Sequence, residues 1–201
     1  ETFSSLYPRV PDRANDLLIE VSGRPGRIGG NMVLMLLSAV ERFSPEAYLT
    51  ACKRAVDTGD SQRVRTLVDE AKSHLSEPRP SLAGEVMVYA YTCNRKSMAR
   101  ELIDKSTPEQ IAAAPSALLR QAVASLDLQA AVTLVDKGIR PGDHAADILR
   151  TLTGQHQEWM AEQLLAHGMP VGPDNYAALY ACISNGAPDI AQLVLDQGDR
   201  L

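Results

Sequence analysis

The sequence predicts an all-α protein made of repeated helix pairs, and three observations carry that expectation. Aromatic residues are only 4% of the 201 residues while Ala and Leu abound. Such a composition suits closely packed short helices better than strands, which draw on β-branched and aromatic side chains. Five segments end alike, at Leu67-Val68-Asp69-Glu70-Ala71, Leu102-Ile103-Asp104-Lys105-Ser106, Leu134-Val135-Asp136-Lys137-Gly138, Leu164-Leu165-Ala166-His167-Gly168 and Val194-Leu195-Asp196-Gln197-Gly198, with spacings of 35, 32, 30 and 30 residues. Twelve residues before each end stands Gly59, Asn94, Leu126, His156 or Gly186, a position expected to turn the chain between two helices. Three of the five are Gly or Asn, which take left-handed backbone most readily.

Residues 1–43 read as an N-terminal extension and helical cap. Pro8 and Pro11 mark an irregular entry, after which Asp12 is expected to cap a helix through Ala14, Leu17, Leu18 and Val21, closed by Gly23. A loop from Arg24 to Gly30 follows. Asn31 then caps a helix from Met32 to about Phe43, hydrophobic on nearly all sides and therefore expected to be buried between neighbours. Residues 44–201 form the repeat domain, with helix pairs at 44–71, 81–106, 115–138, 143–168 and 174–198.

Four residues after each turn comes Arg63, Met98, Ala130, Met160 or Ile190, then Val64, Ala99, Ala131, Ala161 or Ala191. With the apolar residues three and four places further on, these make a helical stripe in which Ala lets adjacent pairs approach closely. Pro-rich connections such as Glu77-Pro78-Arg79-Pro80, Ser106-Thr107-Pro108, Arg140-Pro141-Gly142-Asp143 and Met169-Pro170-Val171-Gly172-Pro173-Asp174 cannot continue a helix and are expected to project as fingers or tight loops. Asp143 and Asp174 fall where N-caps of the following helices are expected.

In this register the chain resembles the ankyrin repeat family, most closely in its last repeat. Leu179 falls on the Leu of the family's Thr-Pro-Leu-His motif, Asn185-Gly186 on its turn, Ile190, Leu193, Val194 and Leu195 on its packing residues, and Gly198 on its terminal glycine. The resemblance implies an α-solenoid of ankyrin-like helix pairs. The tetrapeptide itself is absent, with Ala177-Ala178-Leu179-Tyr180 in the last copy and Asp147-Ile148-Leu149-Arg150 in the one before, so the fingers are expected to be short or irregular. A tetratricopeptide array has a similar helix pair, but its Trp, Gly-Tyr and Phe markers are missing.

Several chemistries find little support. The most apolar run, Met32 to Val40, is nine residues, short of the roughly 20 that span a bilayer. Cys52, Cys93 and Cys182 lie far apart in apolar helical patterns and read as buried free thiols, and there is no glycosylation sequon. His144 with Asp147, and His156 with Glu158, do not build a metal site, because no His-Glu-x-x-His or Cys-x-x-Cys sets ligands on one face. Cys182 falls at a small buried position rather than beside a base, and His167 in the last turn of a helix complements the helix dipole when protonated. The loop Gly23 to Gly30 lacks the Gly-Lys-Ser/Thr and G-x-G-x-x-G spacings of a phosphate cradle.

The net charge of −5 is unevenly placed. Residues 1–100 carry 14 Lys and Arg against 12 Asp and Glu, whereas residues 101–201 carry 6 against 13. Such a gradient can orient a charged partner at long range.

The expected function is therefore non-enzymatic: a module that binds a partner protein, with no cofactor, metal, nucleic acid or membrane. The ankyrin resemblance implies that binding uses the concave face and the loops between repeats. Arg140, Asp143 and His144 from one repeat, with Asn175, Tyr176 and Tyr180 from the next, are the candidate contact residues. Trp159 reads as a lid over the neighbouring pair or as an anchor for a partner. The expected location is cytoplasmic or nuclear. Two alternatives stand beside this reading. Glu1 in place of Met fits a fragment or a mature form, and with the degenerate repeats it suits a secreted effector that mimics ankyrin interactions inside a host cell. The remoter one is a nucleotide-binding enzyme using the Gly23–Gly30 loop.

Overall fold

The structure, a computed structural model, describes residues 11–171 and 176–198. Among these residues the fold is all-α, with thirteen α-helices: α1 (Pro11–Ser22), α2 (Gly26–Ala39), α3 (Pro45–Thr58), α4 (Ser61–His74), α5 (Leu82–Thr92), α6 (Lys96–Lys105), α7 (Pro108–Ala112), α8 (Ala117–Ala124), α9 (Leu128–Asp136), α10 (Ala145–Gly154), α11 (Glu158–Ala166), α12 (Tyr176–Ser184) and α13 (Pro188–Gly198). A 3-10 turn at Gly142–His144 precedes α10. The one β-type pairing among the described residues is an isolated bridge between Phe43 and Leu75.

Two compact units divide the chain, Glu1–Leu102 and Ile103–Leu201. In the first, α1 packs on α2 and α3, α2 touches α4, and α3 packs on both α4 and α5. Its buried side chains include Leu18, Val33, Phe43, Tyr48, Leu67 and Met87. In the second, α8 pairs with α9, α10 with α11 and α12 with α13, while α8, α10 and α12 pack in sequence, as do α9, α11 and α13. Leu119, Leu134, Ile148, Leu149, Leu164 and Val194 fill that core. Val64, Ala99, Ala131, Ala161 and Ala191 are all buried, as the stripe requires.

All five turn positions are left-handed, with φ of 76° at Gly59, 57° at Asn94, 53° at Leu126, 54° at His156 and 72° at Gly186. Gly138 and Gly168 close α9 and α11 the same way, at 89° and 84°. Helix starts are capped by side chains: Ser44 Oγ accepts from Ala47 N–H, Asp60 from Arg63 N–H and Asp127 from Ala130 N–H.

The N-terminal segment departs from expectation. α1 already includes Asp12, which therefore lies inside the helix rather than at its cap. The expected loop Arg24 to Gly30 is largely helical, because α2 begins at Gly26 behind Pro25 and Asn31 lies within it. A Cβ built on Gly29 would stand 2.3 Å from the Arg24 carbonyl oxygen, so this glycine serves a close backbone approach rather than a turn. α2 also stops at Ala39 rather than Phe43. Phe43 is held in the bridge instead, its N–H donating to His74 O at 2.7 Å and its carbonyl accepting from Ser76 N–H at 2.9 Å. Nor is α2 covered on all sides: Ile28, Leu34 and Met35 are exposed.

Arg63 occupies the stripe position that holds Met98, Ala130, Met160 or Ile190 in the other pairs, and it is buried. Its guanidinium donates to the carbonyls of Ser22 at 2.9 Å, Arg24 at 2.6 Å and Gly26 at 2.9 Å, and pairs with Asp60 at 3.0 Å. One cation thus satisfies the carbonyls left open where α1 ends and α2 begins.

The Ser106-Thr107-Pro108 connection leads straight into a short helix and does not project as a loop. Thr107 Oγ1 accepts from Gln110 N–H while Gln110 Oε1 accepts from Thr107 N–H, a capping box that starts α7. Asp143 is not the cap residue of α10, a position taken by His144 without a side-chain hydrogen bond. Asp174 lies outside the described residues.

Candidate functional site

In the second unit, the first helices of the three pairs carry an ordered row of exposed side chains. Six residues before the turn stand Arg120 on α8, Arg150 on α10 and Tyr180 on α12, all exposed. Because these helices pack in sequence, residues at one register align across them. Tyr176, one helical turn before Tyr180, extends the row along α12, and the exposed Ile183 follows three residues on. Arg150 NH1 contacts Asp147 Oδ1 at 3.1 Å, an exposed pair that presents both charges of α10 on this side.

Cross-pair hydrogen bonds hold the row in place. Asn185 Nδ2 donates to Arg150 O at 3.1 Å and to the buried Thr153 Oγ1 at 2.9 Å, tying the α12–α13 turn to α10. Gln197 Nε2 donates to Leu165 O at 3.1 Å. His167 Nδ1 lies 2.8 Å from Asp136 Oδ1, so the C-cap residue of α11 also has a side-chain partner at the end of α9. Lys137 Nζ donates to the carbonyls of Ile103, Asp104 and Ser106 at 2.6–2.8 Å, capping the end of α6 as Arg63 caps that of α1.

Of the residues singled out from the sequence, Tyr176 and Tyr180 share one exposed face of α12. Arg140 is exposed just before the Gly142–His144 turn, Asp143 lies within that turn, and His144 is half-buried at the start of α10. Asn175 lies outside the described residues. Trp159, on α11, is 54% exposed, and its indole N–H donates to Gln157 Oε1 at 3.0 Å, so it leaves much of its ring uncovered. Arg120 and Arg150 escaped the sequence reading, although their identical offset from the turns at Leu126 and His156 marks them. Ile183 escaped because apolar periodicity assigns it to the core.

Two of the three thiols are poorly placed to act as nucleophiles. Cys52 and Cys182 are buried, and burial pushes Cys52 up to about 12 and raises Cys182 as well, so both stay protonated. Cys93 corrects the expectation of three buried thiols: it is half-buried, with Sγ 3.9 Å from Asp57 Oδ1. Among the described residues no group of three His, Cys, Asp or Glu side chains could hold a metal ion, and no helix is long and apolar enough to cross a membrane.

Where α2 meets α4, a cavity of about 350 Å³ is lined by Gly26, Arg27, Gly30, Asn31, Asp60 and Arg63, among others. Arg63 engages three carbonyls and Asp60 through its terminal nitrogens, and Arg27 is the other cation on the lining. No protein-family model, curated protein or solved structure matches this chain.

Proposed function

We propose that this chain is an ankyrin-like α-solenoid that binds a partner protein through the exposed face of its first helices. The observation that carries the reading is the row Arg120, Arg150 and Tyr180, extended by Tyr176, on helices that pack in sequence. Helix pairs locked by alanines and by cross-pair hydrogen bonds present such side chains at little cost in order. Tyr and Arg suit the purpose, because each offers a large contact area with a polar tip that a partner can satisfy. The five left-handed turns, the Gly138 and Gly168 closures and the short connections support the ankyrin-like assignment.

Affinity capture with the full chain, read by mass spectrometry, tests this. The chain carrying Tyr176→Ala and Tyr180→Ala is expected to lose the proteins that the unaltered chain retains, with unchanged helicity by circular dichroism. Retention of the same proteins by both would overturn the assignment of this face.

A further inference from the structure

Each helix pair offers a characteristic face at three positions: the seventh and third residues before the turn and the ninth after it. In the first four pairs every residue at these positions, such as Leu149, Thr153 and Leu165 of α10–α11, is at most 7% exposed. In the last pair the same face is uncovered, with Ile183 67% and Leu195 43% exposed and Leu179 half-buried. The face through which α10–α11 receives α12–α13 is thus repeated on α12–α13 with no described residue packed on it, continuous in register with an interface the chain already uses.

A second apolar face is also unpartnered. α1 and α2 pack on α3 and α4. On α2, Ile28, Leu34 and Met35 are 74%, 54% and 59% exposed. The two faces differ in charge: beside α2, Arg24 is paired with Glu20 and Arg27 remains as the exposed base, whereas residues 176–198 contain Asp189 and Asp196 and no base. Apolar patches of this kind, rimmed by opposite charges, mark interaction surfaces and favour each other over like surfaces.

We propose that a second copy of this chain covers the α12–α13 face, seating its α2 against Leu179, Ile183 and Leu195. The contact is heterologous, joining two different surfaces, so copies add head to tail in an open row or close into a ring. Assembly therefore grows with concentration, and added salt weakens it by screening the arginine–aspartate attraction.

Sedimentation velocity on the full chain from about 5 µM to about 500 µM tests this. The unaltered chain is expected to rise in mean mass with concentration to a dimer or beyond, and to fall back in high salt. Leu34→Glu with Met35→Glu blocks one face, and Ile183→Glu with Leu195→Glu blocks the other; each variant alone is expected to stay monomeric. Mixed in equal amounts, the two retain one good face of each kind and form a dimer that grows no further. A chain that stays monomeric throughout overturns the proposal, as it would if another protein or another segment of the same chain covered these faces. A mixture that stays monomeric overturns it too, as does a variant that still associates alone. All four substituted residues are exposed, and circular dichroism checks that each variant folds. Ile183 lies on the same side of α12 as Tyr176 and Tyr180, so the Leu34→Glu, Met35→Glu variant, which leaves α12 intact, is the one that separates self-association from partner capture.

Discussion

Leu126 and His156 show what the fold demands of single residues. Both hold left-handed backbone that Gly59 and Gly186 adopt freely at the same position, at φ of 53° and 54°. A side chain with a Cβ pays roughly 1–2 kcal/mol for that conformation. Leu126 is half-exposed and loses little burial on truncation, so Leu126→Gly is expected to stabilise the chain by about 1 kcal/mol, read from the urea midpoint. Glu85 illustrates the electrostatic side. Burial alone would raise its carboxyl, but hydrogen bonds from Arg79 and Ser81 and the charges of Arg79 and Lys53 prevail and hold it below the usual range. Arg79 Nε and NH2 reach its two oxygens at 3.0 and 2.8 Å. A carboxyl lowered by folding stabilises the folded state above the unfolded value of about 4.3, and that contribution fades as pH falls through the folded value. Glu85→Gln is therefore expected to lower the urea midpoint at pH 7, with the two proteins converging as pH falls below the usual carboxylate range.

At the scale of helices, the sequence was most legible where spacing and chemistry agreed. The turns at Gly59, Asn94 and Gly186 announce themselves by residue type, whereas Leu126 and His156 are found only by counting back from the helix ends. α2 was misread because Gly29 and Gly30 look like turn residues; the need for a glycine against the Arg24 carbonyl is a tertiary contact that local pattern does not carry. α7 was misread for the opposite reason, since Thr107-Pro108 reads as a break although Pro in the first turn and Gln110 make it a helix start. Arg63 stands in an apolar register, and nothing in its neighbourhood of sequence reveals the three carbonyls it serves, the nearest 37 residues away. Arg63→Met restores the residue type of the equivalent Met98 and Met160 but strands those carbonyls and Asp60. It is expected to cost about 3 kcal/mol by urea denaturation, with hydrogen exchange accelerated in α2 ahead of α3.

Across the whole molecule, the candidate site was partly legible. Tyr176 and Tyr180 could be placed on one helical face from their spacing, but their alignment with Arg120 and Arg150 depends on the sequential packing of α8, α10 and α12. Ile183 has the sequence signature of a core residue and becomes surface because it belongs to the last described pair. The capture and sedimentation experiments thus ask separate questions of α12: what its tyrosines hold, and what its apolar side meets. The constant twelve residues from each left-handed turn to the repeat end also set where the chain tolerates a change of length. Differences in repeat spacing, 35 residues against 30, fall between one repeat end and the next turn, where α4 runs on to His74 past Ala71 whereas α9 stops at Asp136 before Gly138. One residue added inside a second helix would rotate everything after it by about 100° and carry the buried alanine stripe toward solvent. One added near Pro80, in the exposed connection between α4 and α5, would leave every stripe facing its neighbour, so a change of length is expected to be tolerated there and not within a second helix.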